Sequence, residues 1–454
     1  MRTIGIDLGV TSASRVAVAE GASIIKNTRV RSTPQELMKA IRNAANGEPV
    51  NVVIESTAMA WLVAAVAAKR AGVPHTLYRV AGTKAAALRS FYRLHTKTDR
   101  IDAPVLARMP LVDDGLHSFE LPTGSQLGLK RLVTFRQKLV QEMTRVKGRL
   151  CSALHWAAPG LVSGRSLSDG SIRILRRWPN LQKLAAAHVT TIAREGGITR
   201  QQAEEVRLRA REATQFYGEH VDYSLLALEF EVATAHLASL HRQLVRLDER
   251  IQREYQQAYP NDVIRTIPGV GPVVASVVRA IVADASAFKN AAAFRAYTGL
   301  VPRESSSGES EIRGSISKAG PDLLRWALYL AADVARKHDP QLADLYRRLM
   351  VERGRHHNQA LCAVATHLTN RIYALLRENR PYEPRDLNGN TIKPTKAKQI
   401  AASLAVDIGT RQRLRNQKRG PRAPQSRQHK APHGTSRPSP ESLADEALQH
   451  AHNT

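Results

Sequence analysis

The sequence predicts an α/β domain at the N-terminus, a helical, coiled-coil middle, a mostly α unit near the C-terminus and a disordered basic tail. Three observations carry this. Short apolar runs alternate with helical patterns over the first 110 residues, leucines recur at spacings of three and four between residues 129 and 251, and the composition turns Pro-, Arg- and Gln-rich from about residue 405. With 454 residues, 43% of them apolar, the chain is long enough for two or three domains with separate cores. The expected boundaries are 1–125, 126–260, 261–400 and 401–454.

The first strand candidates are Thr3 to Asp7, Arg15 to Ala19 and Ser23 to Arg29, with the turn-forming Leu-Gly-Val-Thr-Ser between the first two. A helix follows with clear start signals: Thr33 as N-cap, Pro34 at the first helical position and Glu36 completing a capping box. Then come a buried strand (Val50 to Glu55), an Ala-rich helix (Ala58 to Ala71) and another strand (His75 to Val80). Three strands, helix, strand, helix, strand is the order of a ribonuclease H-like domain. In that arrangement the first and fourth strands are parallel neighbours. Asp7 and Glu55 then project from the same carboxyl edge, where open α/β sheets place their ligands.

In the middle, Leu129, Leu132, Leu139, Met143, Val146 and Leu150 share one helical stripe, with Arg136 as its misfit. Leu226, Phe230, Ala233, Leu237, Leu240, Leu244, Leu247 and Ile251 form another for nearly four heptads, so the two could pair antiparallel or the second could dimerise. Residues 155–220 mix short helices with Gly/Ser loops. A third unit begins near Val263 with Ile267-Pro268-Gly269-Val270-Gly271-Pro272 leading into an apolar helix. A Gly/Ser-rich stretch from Ser305 to Gly320 reads as loop. Two amphipathic helices follow, one facing inward through Leu324, Leu328, Ala331 and Ala335, the other through Leu361, Leu368, Ile372 and Leu375.

The formal charge of +27, with a pI near 10.6, costs self-repulsion unless a polyanion neutralises it, which makes DNA or RNA the expected partner. Residues 411–440 carry nine Lys and Arg and no acid, a tail suited to nonspecific binding of DNA or RNA. Cys151 and Cys362 are far apart and lack a CxxC or a His partner at ligand spacing, which points to a reducing compartment and two buried thiols rather than structural zinc. The chain opens on a strand pattern rather than a signal peptide. Its longest apolar run, Ala58 to Ala68, is too short to span a bilayer, so a cytoplasmic, nucleoid-associated protein without a membrane partner is expected.

Acids are the scarce charge, 40 against 67 Lys and Arg, so acids at strand ends need a reason. Asp99 and Asp102 lie three apart and share a helical face. A helix laid across the sheet edge would bring both toward Asp7 and Glu55. Four such carboxylates suit Mg²⁺, with Mn²⁺ as a substitute, and a pair of these ions clamps the attacking and leaving oxygens of a phosphoryl displacement. The alternative is that Asp99 and Asp102 offset Arg93, Lys97 and Arg100 on a solvated helix while Asp7 and Glu55 cap turns. An actin-like or sugar-kinase ATPase would also carry Asp7-Leu8-Gly9, but the second Gly-rich phosphate loop and the Gly-Gly adenosine site are not found.

Lys84, Arg89, Phe91, Tyr92, Arg93 and His95 interleave cations with aromatics ahead of the acid pair, a pattern that suits stacking on unpaired bases or a half-buried amphipathic helix. Gly269 and Gly271 resemble a helix-hairpin-helix turn, in which glycines let a phosphate approach the next helix's amides, though a tight turn between packed helices needs the same residues. Arg303, Arg313 and Lys318 read as phosphate contacts or solvated charge.

Together Ile-Gly-Ile-Asp7, Ile-Glu55-Ser-Thr, Lys-Thr-Asp99-Arg-Ile-Asp102-Ala, Ile-Pro-Gly-Val-Gly and Gly-Leu-Val-Pro-Arg, followed by Ser-Gly and Ile-Ser-Lys-Ala-Gly, resemble the RuvC-like DEDD transposases of bacterial insertion sequences, the IS110 and IS1111 families. The likeness covers most of residues 1–380. It implies a recombinase that excises and inserts its own element, with Asp7, Glu55, Asp99 and Asp102 as metal-binding tetrad. It also implies a catalytic serine in the Ser-Gly pair, Ser307, with Ser305 and Ser306 adjacent. A structured non-coding guide RNA and a homo-oligomer, dimer to tetramer, acting on element ends and target DNA are implied as well. The competing reading is a Holliday-junction resolvase-like nuclease that uses the tetrad without a serine.

Overall fold

A computed structural model describes residues 1–416 apart from 10–11, 57–58, 92–98, 114, 163, 165, 283–284 and 308–309; of residues 83, 99–100, 304–307 and 310–313 only the backbone is described. Contacts divide the chain into two units, Met1–Arg131 and the remainder from Leu132.

In the first unit the opening apolar run forms β1, Arg2–Asp7, followed by β2, Ser14–Glu20, and β3, Ser23–Val30. Helix α1, Pro34–Ala45, starts where expected: Thr33 Oγ1 accepts the Glu36 amide at 3.4 Å and Pro34 occupies the first turn. Strand β4, Val50–Glu55, helix α2, Trp61–Arg70, and strand β5, His75–Val80, complete a mixed sheet of order β3-β2-β1-β4-β5. The pairs β1–β2 and β2–β3 are antiparallel, while β1–β4 and β4–β5 are parallel and use α1 and α2 as crossovers.

Strand alternation gives the sheet two different faces. Ile4, Ile6, Val16, Val18, Val52 and Ile54 pack with Leu37 and Ile41 of α1 and with Trp61, Ala64 and Ala65 of α2. Fully buried isoleucines such as Ile4 and Ile6 each contribute roughly 1.5–3 kcal/mol. Helices α3, Gly82–Phe91, and α4, Asp99–Val112, belong to the other face. There Ala17 and Ala19 meet Ala103 and Ala107, and Val53 and Val80 meet Leu88, Val105 and Leu106.

Helix α5, Gly124–Ala157, crosses the boundary between the units. In the second unit four shorter helices follow: α6 (Asp169–Arg177), α7 (Leu181–Ala186), α8 (Val189–Gly196) and α9 (Arg200–Tyr217). The 36-residue α10, Tyr223–Ala258, comes next. Leu139, Val146 and Leu150 of α5 share one core with Leu226, Phe230, Leu237 and Leu240 of α10. The Tyr223 hydroxyl donates to the Ala157 carbonyl at 3.0 Å, and Arg136 pairs with Asp248 through bonds of 2.5 and 3.0 Å. The two helices therefore run antiparallel within one chain, and the polar misfit in the α5 stripe has its partner on α10. Of the two thiols expected to be buried, Cys151 is and Cys362, on the second amphipathic C-terminal helix, is only half-buried; His155, one turn beyond Cys151, comes within 3.5 Å of its sulfur, and both face the Gly164 carbonyl.

Beyond α10 lie α11 (Pro272–Ile281), α12 (Ala291–Thr298), strands β6 (Pro302–Ser307) and β7 (Ser310–Ile316), α13 (Asp322–Ala335), α14 (Pro340–Arg347) and α15 (His357–Glu378). The inward residues expected on α13 and α15 are all buried. Two expectations are corrected. The Gly/Ser-rich stretch is an antiparallel hairpin rather than a loop, because its base is tied by backbone bonds from Ser317 to Val301 (2.8 Å) and from Lys318 to Gly299 (3.0 Å). The ordered chain also runs past residue 400: α16 (Pro394–Ser403) and α17 (Ile408–Asn416) bury Ala397, Ala401, Val406 and Leu414, enough apolar surface to hold them. The tail from 417 lies outside the described residues. Among the described residues no helix is long and apolar enough to cross a membrane.

The Arg136–Asp248 pair gives a stability prediction. Asp248→Ala leaves a half-buried guanidinium without its carboxylate and lowers stability by about 1–2 kcal/mol, while Arg136→Leu with Asp248→Leu restores most of it. Thermal denaturation checks this; an Asp248→Ala protein melting with the wild type contradicts the pairing.

Candidate active site

Strands β1 and β4 are parallel and in register through Ile6 and Ile54, so Asp7 and Glu55 are the next residues at the carboxyl ends of neighbouring strands. Adjacent strands lie about 4.8 Å apart, which brings the two acid-bearing backbones together. Alternation sets their direction. Ile6 and Ile54 face α1 and α2, so Asp7 and Glu55 fall on the opposite face, that of Gly5 and Val53, where α3 and α4 lie. The start of α3 touches Glu55, since a Cβ on Gly82 would stand 2.7 Å from Glu55 Oε1.

Gly5 controls how close α4 comes. A methyl group on it would overlap the Ala103 carbonyl and the Ala107 amide, so the helix backbone lies directly on β1. Asp102 immediately precedes Ala103 and is 7% exposed. Asp99 begins α4, one turn before Ala103; its side chain is outside the described residues. Across from α4, Arg89 of α3 is half-buried and forms a charge-assisted bond to Asp102 Oδ1. Arg89, expected on nucleic acid, is in this structure the partner of an acid: a buried carboxylate takes up the guanidinium beside it rather than stay uncompensated.

The donor set is all carboxylate, which suits a hard divalent cation. Among the described residues, however, no three His, Cys, Asp or Glu side chains group so as to hold one. Asp102 is paired with Arg89, and Asp7 and Glu55 are half-buried at the strand ends. The structure brings acids from β1, β4 and α4 to one side of one sheet edge; the fourth member of the expected tetrad, the Asp99 side chain, lies outside the described residues.

The other expected contacts are distributed as follows. Lys84 is exposed on α3 and bound to Asp113 at 2.7 Å. Tyr92, Arg93, His95 and Lys97 lie outside the described residues, as does the side chain of Arg100. Gly269, at φ +89°, packs its Cα against α13, where a Cβ would stand 2.5 Å from the Ala331 carbonyl, so it serves a tight turn between packed helices. Gly271 caps α11 and has open space around it.

Ser307 ends β6 and pairs with Ser310 of β7, at the tip of the hairpin; its side chain, like that of Arg313, is outside the described residues. The hairpin's base is closely packed. Gly320 presses so closely on the Tyr297 carbonyl that any side chain would overlap it, and Arg303 donates to the Ser317 carbonyl at 3.1 Å. Lys318 is exposed and holds a left-handed φ of +55°. The residues that sequence reasoning missed are Gly5 and Arg89 as the acids' support. An isolated glycine inside an apolar strand was the available signal for the first.

Comparison with known proteins adds independent findings. One family model, a transposase of the DEDD type of IS110, matches residues 4–159, and a second, the transposase IS116/IS110/IS902 family, matches residues 261–347. An uncharacterized protein of insertion element IS116 from Streptomyces clavuligerus is 27% identical over 395 residues, 84% of this chain and 96% of the relative. The transposase for insertion sequence element IS1111A of Coxiella burnetii is 36% identical over 122 residues, 26% of this chain and 33% of its own. A pilin gene-inverting protein of Moraxella lacunata is 30% identical over 128 residues, 28% and 40% respectively.

The Gly5 contact predicts opposite effects for two glycine substitutions. Gly5→Ala lifts α4 off the sheet and costs about 1–3 kcal/mol. Gly148→Ala, on α5 with open space around it, raises stability by up to about 1 kcal/mol. Denaturant midpoints compare the two; a Gly5→Ala protein as stable as wild type shows that α4 does not lie against β1 as described.

Proposed function

Because the chain belongs to the IS116/IS110/IS902 family of DEDD transposases and is a DNA-recombining enzyme, we propose that it excises and inserts its own element through a covalent serine–DNA intermediate, guided by an element-encoded RNA. The observation that carries this reading is the arrangement of Asp7 and Glu55 at adjacent parallel strand ends, on the face bearing the start of α4 with Asp99 and Asp102. Residues 1–125 are the catalytic domain, 126–260 its helical and coiled-coil extension, and 261–400 carry the serine. The basic tail adds nonspecific affinity.

Asp7, Glu55, Asp99 and Asp102 would hold Mg²⁺, or Mn²⁺ in its place. When bound, such an ion supplies charge stabilisation for a pentacovalent phosphate and lowers the pKa of an attacking hydroxyl. Arg89 keeps Asp102 oriented by the ion pair described above, and Gly5 sets the height of the helix on which Asp102 sits. Ser307 Oγ attacks a DNA phosphorus; the P–O bond to one strand breaks, that strand leaves as a hydroxyl and the phosphate remains as a serine ester. The hydroxyl of the incoming strand then attacks the same phosphorus and returns the serine. One diester is exchanged for another at each step, so no nucleotide hydrolysis is required. Nucleic-acid contacts are assigned to Lys84, Tyr92, Arg93, Lys97, Arg100, Gly271, Arg303, Arg313 and Lys318. Dimers to tetramers would hold element ends and target together, with the guide RNA supplying sequence recognition and the protein the grip on backbone.

Ser307→Ala and Asp7→Asn should each lower strand exchange on the order of 10⁴-fold or more while nucleic-acid binding stays near wild type. Denaturing gels of wild type with a DNA substrate should show a protein–DNA adduct that survives detergent and is lost in Ser307→Ala. Recombination by the Ser307→Ala protein contradicts the serine assignment, and cleavage with no adduct at any time returns the reading to hydrolysis.

A further inference from the structure

The uncovered edge of the N-terminal sheet carries a basic cleft to which no role has been given. Among the described residues no further strand pairs with β3, and between β2–β3 and α1 lies a cleft of about 440 Å³. Lys26, Thr28, Arg29, Arg31, Lys39 and Asn43 line it, with Glu36 as its one acid. Its four cations are exposed, and among the described residues none has an ion-pair partner. Several other cations of the chain are held by acids. Arg2 is tied to Glu20, Arg89 to Asp102, Arg136 to Asp248 and Arg279 to Asp262.

The register links the cleft to the acidic edge. Asp7 is opposite Arg15 on β2, and Arg15 is opposite Arg29 on β3, so the three form one row across the α4 face of the sheet, on the other side of β3 from the cleft. With strands about 4.8 Å apart, Arg29 stands roughly 10 Å along that row from Asp7. Arg31 follows at the same end of β3, and Lys26 and Lys39 continue along the α1 face. A polyanion leaving the acidic edge would meet Arg15 and Arg29 and then turn round β3 into the cleft.

We propose that this cleft binds the phosphodiester backbone of a nucleic acid as it leaves the acidic edge, with Lys26, Arg29, Arg31 and Lys39 as phosphate contacts and Thr28 and Asn43 as hydrogen-bond donors. Thr28 and Asn43 add neutral donors, and the cations give sequence-independent grip. The inference rests on the protein's being a nucleic-acid enzyme and is independent of whether the carboxylates hold a metal. A purely protective role for charges on an edge strand is the competing explanation.

The test uses the full chain carrying Lys26→Gln, Arg31→Gln and Lys39→Gln together, all exposed positions, and a control with Arg176→Gln, Arg207→Gln and Arg211→Gln, which removes the same charge elsewhere. Binding to duplex DNA and to single-stranded RNA of arbitrary sequence is measured against KCl concentration. The cleft variant should flatten the slope of log K against log [KCl] by about 0.9 for each lost duplex contact, or about 0.7 for each single-strand contact, with the control near wild type. Flattening on one polymer alone identifies which backbone the cleft takes. An unchanged slope on both, or equal flattening in the control, overturns the proposal. A wild-type chain that binds neither polymer overturns the transposase reading together with it.

Discussion

The N-terminal unit of this protein depends on one steric constraint: a helix backbone must lie directly on the central strand of the sheet. Gly5 makes that possible by having no side chain where Ala103 and Ala107 approach. The surrounding contacts are equally small, with Ala17 and Ala19 beneath the same helix. Small residues give α4 its height, that height sets where Asp102 stands, and the parallel β1–β4 register sets where Asp7 and Glu55 stand. The chemistry proposed for the site is thus placed by apolar contacts that take no part in it.

Where local pattern and tertiary contact agree, the fold was legible in the sequence. Alternating valines and isoleucines, the Thr33-Pro34 start signal and the leucine stripes each point to one conformation, and the structure adopts it. The hairpin carrying Ser307 was not legible. Pro-Arg-Glu-Ser-Ser-Ser and its return strand have little apolar alternation, and what holds them is the backbone join of Gly299 and Val301 to Ser317 and Lys318 together with the close seat of Gly320 on Tyr297. Such joins link positions some twenty residues apart and leave only glycines as a trace. Arg136 is similar: a polar residue in an apolar stripe makes sense only once Asp248, 112 positions later, is beside it.

Positive charge is likewise unevenly used. The net +27 invites a picture of uniform attraction for nucleic acid. Yet several arginines are internal fasteners. Arg279 makes a bidentate pair with Asp262, which also accepts from Tyr255 at 2.7 Å, joining the end of α10 to α11; Arg371 reaches the buried Asp339 at 3.2 Å; and Arg336 lies 4.2 Å over the Tyr346 ring. Arg89 belongs with these. Cations held by acids or rings have already lost their freedom and much of their field, so a polyanion is met chiefly by those left unpaired. Lys26, Arg29, Arg31 and Lys39, around β3, belong to that group among the described residues.

The acidic sheet edge is proposed as a divalent-metal site. Anomalous diffraction from crystals grown with DNA and soaked in MnCl₂ tests it most directly. The claim requires manganese between Asp7 and Glu55, with carboxylate oxygens at about 2.0–2.3 Å and with Asp102 drawn off Arg89 or bridging to it. Crystals whose only manganese lies elsewhere, or in which these two carboxylates bind none with DNA in place, would contradict it.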